Sequence, residues 1–194
     1  FKSRKSSGSS KSKNVEVEGL VVDVRNAAEV KAMIDFAVKT FGKIDYLFNN
    51  AGICVGGPTH KNTPQDWKDV IDVNLYGVVN GVTAAYPVMV GQGEGHIINT
   101  GSIEGLCPFP ATVSYAASKY GVVGLSHSLR VEGAAYGVKV SVVCPGFVKT
   151  RIFEDSKTID FDRSQILANF PSDWLGVSAE ECAKIILNGV RKNK

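Results

Sequence analysis

The stretch HIINTGSIEGLCPFPATVSYAASKYG, residues 96–121, contains an apolar strand, a glycine-rich turn and the start of a helix. The strand is predicted over HIINTGS from His96, and apolar residues at helical spacing continue from Thr112 to about Tyr136. The same strand-then-helix order recurs on both sides of this stretch. Such alternation is typical of a parallel sheet covered by helices.

Further strands are predicted at GLVVDV (residues 19–24), at IDYLFNN (residues 44–50) and at VKVSVVCPG from Val138. Helices are predicted over Ala27–Phe41, from Pro64 after the Thr63 cap to about Val90, and over Ala179–Val190 after the Ser178 cap. Several of these strands are apolar on both faces, which favours a parallel sheet with a helix layer on each side. The predicted fold class is therefore α/β.

The composition is that of a globular protein: of 194 residues, 44% are hydrophobic and 21% are charged. This excludes collagen, a coiled coil and a mostly disordered chain. The first thirteen residues hold five cations and no acid, and without them the net charge of +3 becomes −2. We expect residues 1–14 to be a basic, serine-rich mobile segment and residues 15–194 to form a single domain that binds no nucleic acid.

Asn80 and Pro87 interrupt the most apolar run of the sequence, so no membrane-spanning segment is predicted. The four cysteines lack both the CxxC spacing of zinc sites and the density of secreted disulfide scaffolds. We therefore expect a reducing, cytoplasmic location. The three histidines show no ligand spacing, so no metal site is predicted. The chain opens with Phe1 and no signal peptide is recognisable, which suggests that its beginning is lost.

Residues 151–178 differ in character from the rest, because polar residues alternate irregularly with large apolar ones such as Ile152, Phe161 and Trp174. A long insertion at the carboxyl end of a strand is where α/β folds place a lid over a site. The alternative is a satellite cluster that only packs on the body of the domain. As a lid, the segment predicts a mainly apolar substrate.

Three side chains in the opening stretch have the spacing of an acid–base group. Tyr115 and Lys119 are four apart on one helix and share a face, and Ser102 ends the preceding strand. A nearby ammonium group favours the phenolate form, so Lys119 is expected to lower the pKa of Tyr115 toward neutrality. A serine hydroxyl at a strand's carboxyl end is placed to hydrogen-bond a substrate oxygen. By spacing alone, an ordinary exposed Tyr–Lys pair remains the alternative.

The sequence from about residue 21 to residue 190 resembles the short-chain dehydrogenase/reductase family. The resemblance rests on the motif Asn49-Asn50-Ala51-Gly52 after a strand, Asn74 in a long helix, Ser102 before Tyr115-Ala116-Ala117-Ser118-Lys119, and Pro145-Gly146 followed by Thr150. It implies a doubly wound Rossmann domain. It also implies an enzyme that exchanges hydride between NAD or NADP and a small alcohol or ketone.

By this resemblance, the catalytic residues are Asn74, Ser102, Tyr115 and Lys119. Tyr115 is the acid/base, Ser102 polarises the substrate oxygen, Lys119 lowers the Tyr115 pKa and holds the nicotinamide ribose, and Asn74 bends its helix and holds a water for proton relay. The cofactor-binding residues are Asp23, Val24, Asn50, Ala51, Gly52, Tyr115, Lys119, Pro145, Gly146, Val148 and Thr150.

Two of these residues have simpler alternative interpretations. Asp23 follows a predicted strand, where an aspartate commonly caps the next helix, here the one that begins at Ala27. Asn74 is placed equally well by the pattern as a solvent-facing helix residue. The assignment of Asp23 and Val24 to the adenine, and of Asn74 to the catalytic group, thus depends on the resemblance.

The glycine-rich motif T-G-x-x-x-G-x-G of that family is absent from the sequence. We expect the Rossmann sheet to be incomplete, with its first two strands and last strand missing, an unpaired sheet edge and bare apolar surface. The chain is interpreted as a fragment of a working enzyme, and activity is expected of the complete enzyme and not of the fragment. The alternative is a non-catalytic Rossmann scaffold that acts by protein binding, and the upstream coding sequence would discriminate between the two.

The resemblance also implies a homo-oligomer, a dimer or tetramer that pairs through the two long helices. The residues expected to supply its apolar contact surface are Ala84, Ala85, Val88, Val123 and Leu129.

Overall fold

The computed structural model describes residues 16–160 and 176–193. Its helices are α1 (Ala27–Phe41), α2 (Pro64–Ile71), α3 (Gly77–Gln92), α4 (Val113–Gly133), α5 (Ile152–Asp155) and α6 (Ala179–Arg191). Its strands are β1 (Tyr46–Asn49), β2 (Val55–Gly56), β3 (Gly95–Thr100), β4 (Val138–Val143), β5 (Val148–Lys149), β6 (Lys157–Thr158) and β7 (Val177–Ser178).

The central sheet consists of three parallel strands in the order β1-β3-β4. Its register places Leu47 beside Ile97 and Ile97 beside Val140, and all three side chains are buried. Each strand is followed by a crossover through at least one helix, as parallel strands require. The predicted α/β class is confirmed.

Helices α1, α3 and α4 cover the face of the sheet that carries Leu47, Ile97 and Val140, and Ala85 and Met89 of α3 are fully buried there. On the opposite face, Tyr46 and Phe48 of β1 remain 56% and 44% exposed. This arrangement agrees with the expected bare apolar surface.

The predicted strand over residues 19–24 is wrong, because the segment is extended but pairs with no strand among the described residues. Instead, Val22 packs against the core and the Val24 carbonyl accepts a hydrogen bond from Asn80 Nδ2 at 2.8 Å. A sequence of strand character becomes a strand only where a neighbouring backbone satisfies its N–H and C=O groups. The last residues of the segment nevertheless line a cleft together with Ala51 and Ile53 of the loop after β1, and they contribute there to the site described below.

Local capping explains where the helices begin. Asn26 accepts hydrogen bonds from the N–H groups of Ala28 and Glu29 at the start of α1, so Asn26 and not Asp23 is the cap. Thr63 and Asp66 form a capping box at the start of α2. The predicted Ser178 cap of α6 is confirmed, since its hydroxyl accepts from the Glu181 N–H at 3.1 Å.

One helix among the described residues, the continuous helix Pro64–Gln92, is long and apolar enough by length and composition to cross a membrane. Asn80 and Pro87 do not interrupt this helix, contrary to the expectation from the sequence. The helix packs on the sheet through Ala85 and Met89, and Asn80 donates a hydrogen bond within the protein. These contacts are those of a helix in the core of an α/β domain.

The surface predicted for oligomer contacts is wrong at three of its five residues. Ala84, Ala85 and Val123 are buried, while Val88 and Leu129 pack partly buried against the core. The apolar side chains that α4 exposes are instead Val113, Tyr120 and Val131. Spacing along a helix identifies an apolar stripe, but it does not tell which partner the stripe packs against.

Residues 1–15 and 161–175 lie outside the described residues. The predicted mobile segment, residues 1–14, and the middle of the predicted lid fall there, and the described structure resumes at Gly176. Around the predicted lid, β6 pairs with β2 and β7 pairs with β5. Lys157 also forms an ion pair with the buried carboxylate of Asp66 in α2. Both ends of residues 151–178 are therefore attached to the body of the domain, and the lid itself stays a prediction.

His96 provides a testable source of acid sensitivity. The ring is 4% exposed, its Nε2 lies 2.9 Å from the Ser141 hydroxyl, and burial lowers its pKa below the ordinary value of 6.5. A histidine whose pKa is depressed in the folded state contributes stability above pH 6.5 that is lost as the pH falls below it. We expect urea midpoints of His96→Gln to fall less between pH 6.5 and 5 than those of the parent, whereas exposed His127→Gln follows the parent. The same dependence of the urea midpoint on pH in all three proteins would contradict this expectation.

Candidate active site

The loops that follow the three central strands are linked to one another at the carboxyl edge of the sheet. Thr100 at the end of β3 donates from its hydroxyl to Asn50 Oδ1 after β1 at 3.2 Å. The Ile103 N–H donates to the carbonyl of Pro145 after β4 at 2.8 Å. This edge is where open α/β sheets bind ligands, and it holds most of the predicted site residues.

Ser102 lies between β3 and a 3₁₀ turn formed by Ile103–Gly105. Its side chain is 8% exposed, and its hydroxyl accepts a hydrogen bond from the Glu104 N–H at 3.1 Å. The turn packs closely against α4, because a Cβ on Gly105 would lie 2.8 Å from the Lys119 carbonyl oxygen. Glycine at this position thus allows the Ser102 turn to contact the helix that carries Tyr115 and Lys119.

Lys119 is buried, with 3% of its surface exposed. Its Nζ donates a hydrogen bond to the Thr100 carbonyl at 2.8 Å and lies 5.4 Å from the centroid of the Tyr115 ring. Burial disfavours the ammonium form and lowers the pKa of Lys119 to about 8. The amine therefore changes charge close to physiological pH, and the predicted exposed Tyr–Lys pair is excluded.

The expected lowering of the Tyr115 pKa is not found. Burial raises the pKa of Tyr115 to about 12, and the nearby Glu104 and Cys54 side chains act in the same direction. The Ser102 side chain acts in the opposite direction and lowers the pKa of Tyr115. The sequence spacing placed Lys119 near the phenol correctly, but its ammonium is directed at the Thr100 carbonyl. The phenol is consequently protonated at neutral pH.

Asn74 is fully buried within a π-helical turn, Asp72–Tyr76, that connects α2 to α3. Its Oδ1 accepts from the Ile53 N–H at 2.8 Å, and its Nδ2 donates to the Ile53 carbonyl at 2.9 Å and to the Ser118 hydroxyl at 3.1 Å. The solvent-facing alternative is wrong. Asn74 ties the loop after β1 to the helix that carries Tyr115, at an irregular turn of the kind often seen at functional sites.

Replacing Asn74 with leucine is expected to lower the free energy of unfolding by about 1 to 3 kcal/mol, because the Ile53 backbone groups lose their partners. Asn80→Ala removes a single hydrogen bond to a backbone carbonyl and should cost about 1 kcal/mol or less. Urea denaturation followed by circular dichroism measures both. Equal decreases in the free energy of unfolding would show that the two hydrogen bonds from Asn74 to Ile53 contribute no more than the single bond from Asn80.

The predicted adenine-side residues line a cleft of about 540 Å³ with Ala51, Ile53 and Val73. Asp23 and Val24 both contribute to this cleft. The Asp23 carboxylate is engaged by Arg25, which donates from Nη2 at 2.6 Å and lowers the pKa of Asp23 to about 2. The structure thus brings Asp23, Val24 and Ala51 together.

Gly52 lies against the catalytic side of the site, since a Cβ there would contact Asn74 Oδ1 at 3.4 Å and Lys119 Nζ at 3.7 Å. Pro145, Gly146 and Val148 line a second cleft of about 560 Å³ between β5 and α6. Thr150 is exposed just beyond β5. Of these residues, Pro145 is joined to the Ser102 turn, because its carbonyl accepts a hydrogen bond from the Ile103 N–H. Thr150 lies at the surface.

Several residues of the site were missed by sequence reasoning. Ser118 links Asn74 to the Tyr115 carbonyl, and Glu104 accepts from the Thr112 hydroxyl at 2.6 Å. Asn99 joins Asn49 at 2.8 Å to Ser126 at 2.9 Å, which attaches β1 and β3 to α4. A polar residue within an apolar stretch, such as Asn99 in IINT, is the sequence feature that could have identified these positions. The role of the Thr100 carbonyl has no such feature, because every residue has a backbone carbonyl.

A parallel α/β sheet with a buried Ser–Tyr–Lys group at its carboxyl edge defines the class to which this protein belongs. The sequence pattern of the short chain dehydrogenase family matches residues 3–159, and the chain belongs to that family.

Individual relatives agree with this assignment. The chain is 43% identical over 138 residues to the 3-oxoacyl-[acyl-carrier-protein] reductase FabG of Staphylococcus aureus, covering 71% of this chain and 56% of that protein. A short chain dehydrogenase/reductase from Burkholderia phymatum, solved in complex with NAD, has a TM-score of 0.83 and 34% identity, over 93% of this chain and 69% of that one. A gluconate 5-dehydrogenase from Burkholderia cenocepacia, solved with NADP and tartrate, has a TM-score of 0.65 and 36% identity, over 67% of this chain and 51% of that one. The chain thus spans between about half and two thirds of the length of these proteins, and the predicted Rossmann class is confirmed.

Proposed function

We propose that the complete protein is an NAD(P)-dependent oxidoreductase that transfers hydride between a nicotinamide cofactor and a small, mainly apolar alcohol or ketone. The observation that carries this proposal is the meeting of Ser102, Tyr115 and Lys119 at one buried point. Lys119 Nζ lies 5.4 Å from the centroid of the Tyr115 ring, and the Ser102 side chain lies close enough to the phenol to oppose the rise of its pKa. The three residues combine a hydroxyl group, an acid/base group and a cation at the sheet edge where α/β folds bind ligands.

The residues present fit the nicotinamide and adenine ends of a dinucleotide. Asp23, Val24 and Ala51 line the cleft of about 540 Å³, which suits a flat adenine ring beside a carboxylate. Asn50 and Gly52 flank Ala51 in the loop after β1, and the absence of a Cβ at Gly52, which lies near Lys119 Nζ, permits close approach. When bound, NAD or NADP would supply or accept the hydride. Solved relatives contain each of the two cofactors, so both belong in the proposal.

Tyr115 is proposed as the group that moves the proton. In ketone reduction, its hydroxyl donates a proton to the substrate oxygen as the hydride reaches the carbonyl carbon, and alcohol oxidation reverses both transfers. The raised pKa of about 12 keeps the phenol protonated at neutral pH, which suits reduction. Ser102 donates its hydroxyl proton in a hydrogen bond to the same substrate oxygen and polarises the carbonyl.

Lys119 and Asn74 are proposed to support this proton transfer. Lys119, whose pKa is about 8, exchanges its own proton readily near neutral pH, and it is proposed to hold the nicotinamide ribose. Asn74 fixes the loop after β1 through Ile53 and contacts α4 through Ser118. Pro145, Gly146, Val148 and Thr150 are proposed to border the nicotinamide. Their support is the hydrogen bond from Ile103 to the Pro145 carbonyl.

A substrate panel tests the proposed function. With the complete protein and either NADH or NADPH, we expect steroid-like or long-chain ketones to give a higher kcat/KM than sugars. The physical reason is the apolar content of residues 151–178. Higher kcat/KM values for sugars would contradict the apolar substrate class, and no cofactor oxidation with any carbonyl compound would contradict the oxidoreductase itself.

The same proposal includes a cytoplasmic homo-oligomer. All four cysteines are free, as a reducing compartment allows. Exposed Val113, Tyr120 and Val131 on α4 supply apolar surface for a second copy in place of the buried residues named above.

A further inference from the structure

Glu104 connects the two elements that carry the proposed acid/base group. Its N–H donates to the Ser102 hydroxyl at 3.1 Å, and its carboxylate accepts from the Thr112 hydroxyl at 2.6 Å. Thr112 immediately precedes α4, and Tyr115 lies three residues further on. The Thr112 side chain caps no helix N–H group, so its hydroxyl is committed to Glu104.

We propose that Glu104 is a positioning residue for Ser102 and Tyr115, holding the serine turn against the first turn of α4 and keeping a negative charge beside the phenol. The inference rests on the proposed function for its catalytic consequence. Its support is the pair of contacts that Glu104 makes with Ser102 and Thr112.

The geometry supports a rigid connection because the turn is fixed at more than one point. Besides the Glu104–Thr112 bond, the Ile103 N–H binds the Pro145 carbonyl at 2.8 Å. Gly105 packs against the carbonyl of Lys119, one helical turn beyond Tyr115. The turn therefore contacts α4 before and after Tyr115. Loss of the Thr112 contact frees the end nearest to Tyr115.

The charge of Glu104 acts on the phenol directly. The groups that face Tyr115 are Ser102 and Glu104 from the serine turn, Cys54 from the loop before β2, and Lys119 from its own helix. Glu104 and Cys54 raise the Tyr115 pKa and the Ser102 hydrogen bond lowers it. Burial also raises the pKa of Glu104 itself, while the Thr112 hydrogen bond favours its ionised form. Removing the charge but keeping the hydrogen bond should therefore ease ionisation of the phenol.

Two variants separate the charge of Glu104 from its hydrogen bond. Glu104→Gln keeps an acceptor for Thr112 and removes the charge, whereas Thr112→Val removes the hydrogen bond and keeps the charge. Thr112→Ser retains the hydroxyl and is the matched control. Tyrosine ring-carbon NMR of the complete protein, with Tyr115→Phe to assign the signal, follows the phenol titration without any need for turnover.

In Glu104→Gln, we expect the phenolate fraction of Tyr115 at a fixed alkaline pH to rise about three- to tenfold. In Thr112→Val, that titration should not move toward lower pH, and kcat for ketone reduction should fall about tenfold, while Thr112→Ser stays within about twofold of the parent. An unchanged titration in Glu104→Gln, or equal kcat in Thr112→Val and Thr112→Ser, would overturn the proposal.

Failure of the proposed function looks different from failure of this inference. If the parent protein transfers no hydride, the proposed function fails, and the NMR titration still decides whether Glu104 acts on Tyr115. If Glu104→Gln unfolds, the Thr112→Val and Thr112→Ser pair decides through kcat alone. A folded, active Glu104→Gln with the parental titration contradicts only the role of Glu104.

Discussion

Replacing Tyr115 with phenylalanine is expected to lower the turnover of the complete protein by about 10²- to 10⁴-fold, the usual contribution of a general acid or base. The substitution removes the hydroxyl that donates the proton and leaves the ring in place on α4. Burial and the Lys119 contact to the ring face do not depend on the hydroxyl, so the fold should persist. Steady-state kinetics with a ketone substrate and the reduced cofactor measure the effect.

Tyr120→Phe is the matched control, since Tyr120 lies on the same helix and is 47% exposed. Its turnover should equal that of the parent. Cofactor binding, followed by nicotinamide fluorescence, should survive in both variants. Turnover of Tyr115→Phe within about tenfold of the parent would show that another group moves the proton. A parent protein that binds a protein partner and turns over no substrate would favour the non-catalytic scaffold.

Much of the fold was predictable because local signals and tertiary packing agree. Helix α1 runs over Ala27–Phe41 as the apolar spacing predicts, and Gly42 follows with a left-handed φ of 84° that ends it. Strands β1 and β4 lie within the predicted segments, and β3 begins one residue earlier than predicted, at Gly95, and ends at Thr100. Residues 19–24 show the limit of this agreement, because strand pairing depends on a neighbour that the local sequence does not encode.

The candidate site was predictable in its residues and less so in its electrostatics. The helical spacing of Tyr115 and Lys119 and the strand-end position of Ser102 correctly predicted that the three side chains would meet. The predicted direction of the Tyr115 pKa shift was wrong, because the shift depends on burial and on where the Lys119 ammonium points. The Thr100 carbonyl sets the direction of the ammonium, and the burial results from tertiary packing around α4. Neither has a sequence signature.

The same reasoning leads to a quantitative expectation for cofactor binding by the 194-residue chain. Rossmann domains hold the dinucleotide pyrophosphate on backbone N–H groups at a glycine-rich turn before a helix. The sequence contains no T-G-x-x-x-G-x-G motif. Asp23 and Ala51, which line one cleft, and Lys119 are the residues proposed to contact the adenine and the nicotinamide ribose, but they leave the most highly charged part of the ligand without a prepared site.

We therefore expect isothermal titration of the purified 194-residue chain with NAD or NADP to give a Kd of about 1 mM or weaker. A chimera that places the N-terminal strand, glycine-rich turn and helix of the Burkholderia phymatum relative before residue 19 should bind at least about a hundredfold more tightly, because it supplies the anion site and a neighbour for the extended segment 19–24. The same chimera with valine in place of the turn glycines is the matched control. It should gain folding stability without affinity, since the backbone N–H groups are then shielded from the pyrophosphate. A micromolar Kd for the 194-residue chain itself would show that Asp23, Ala51 and Lys119 suffice to hold the dinucleotide.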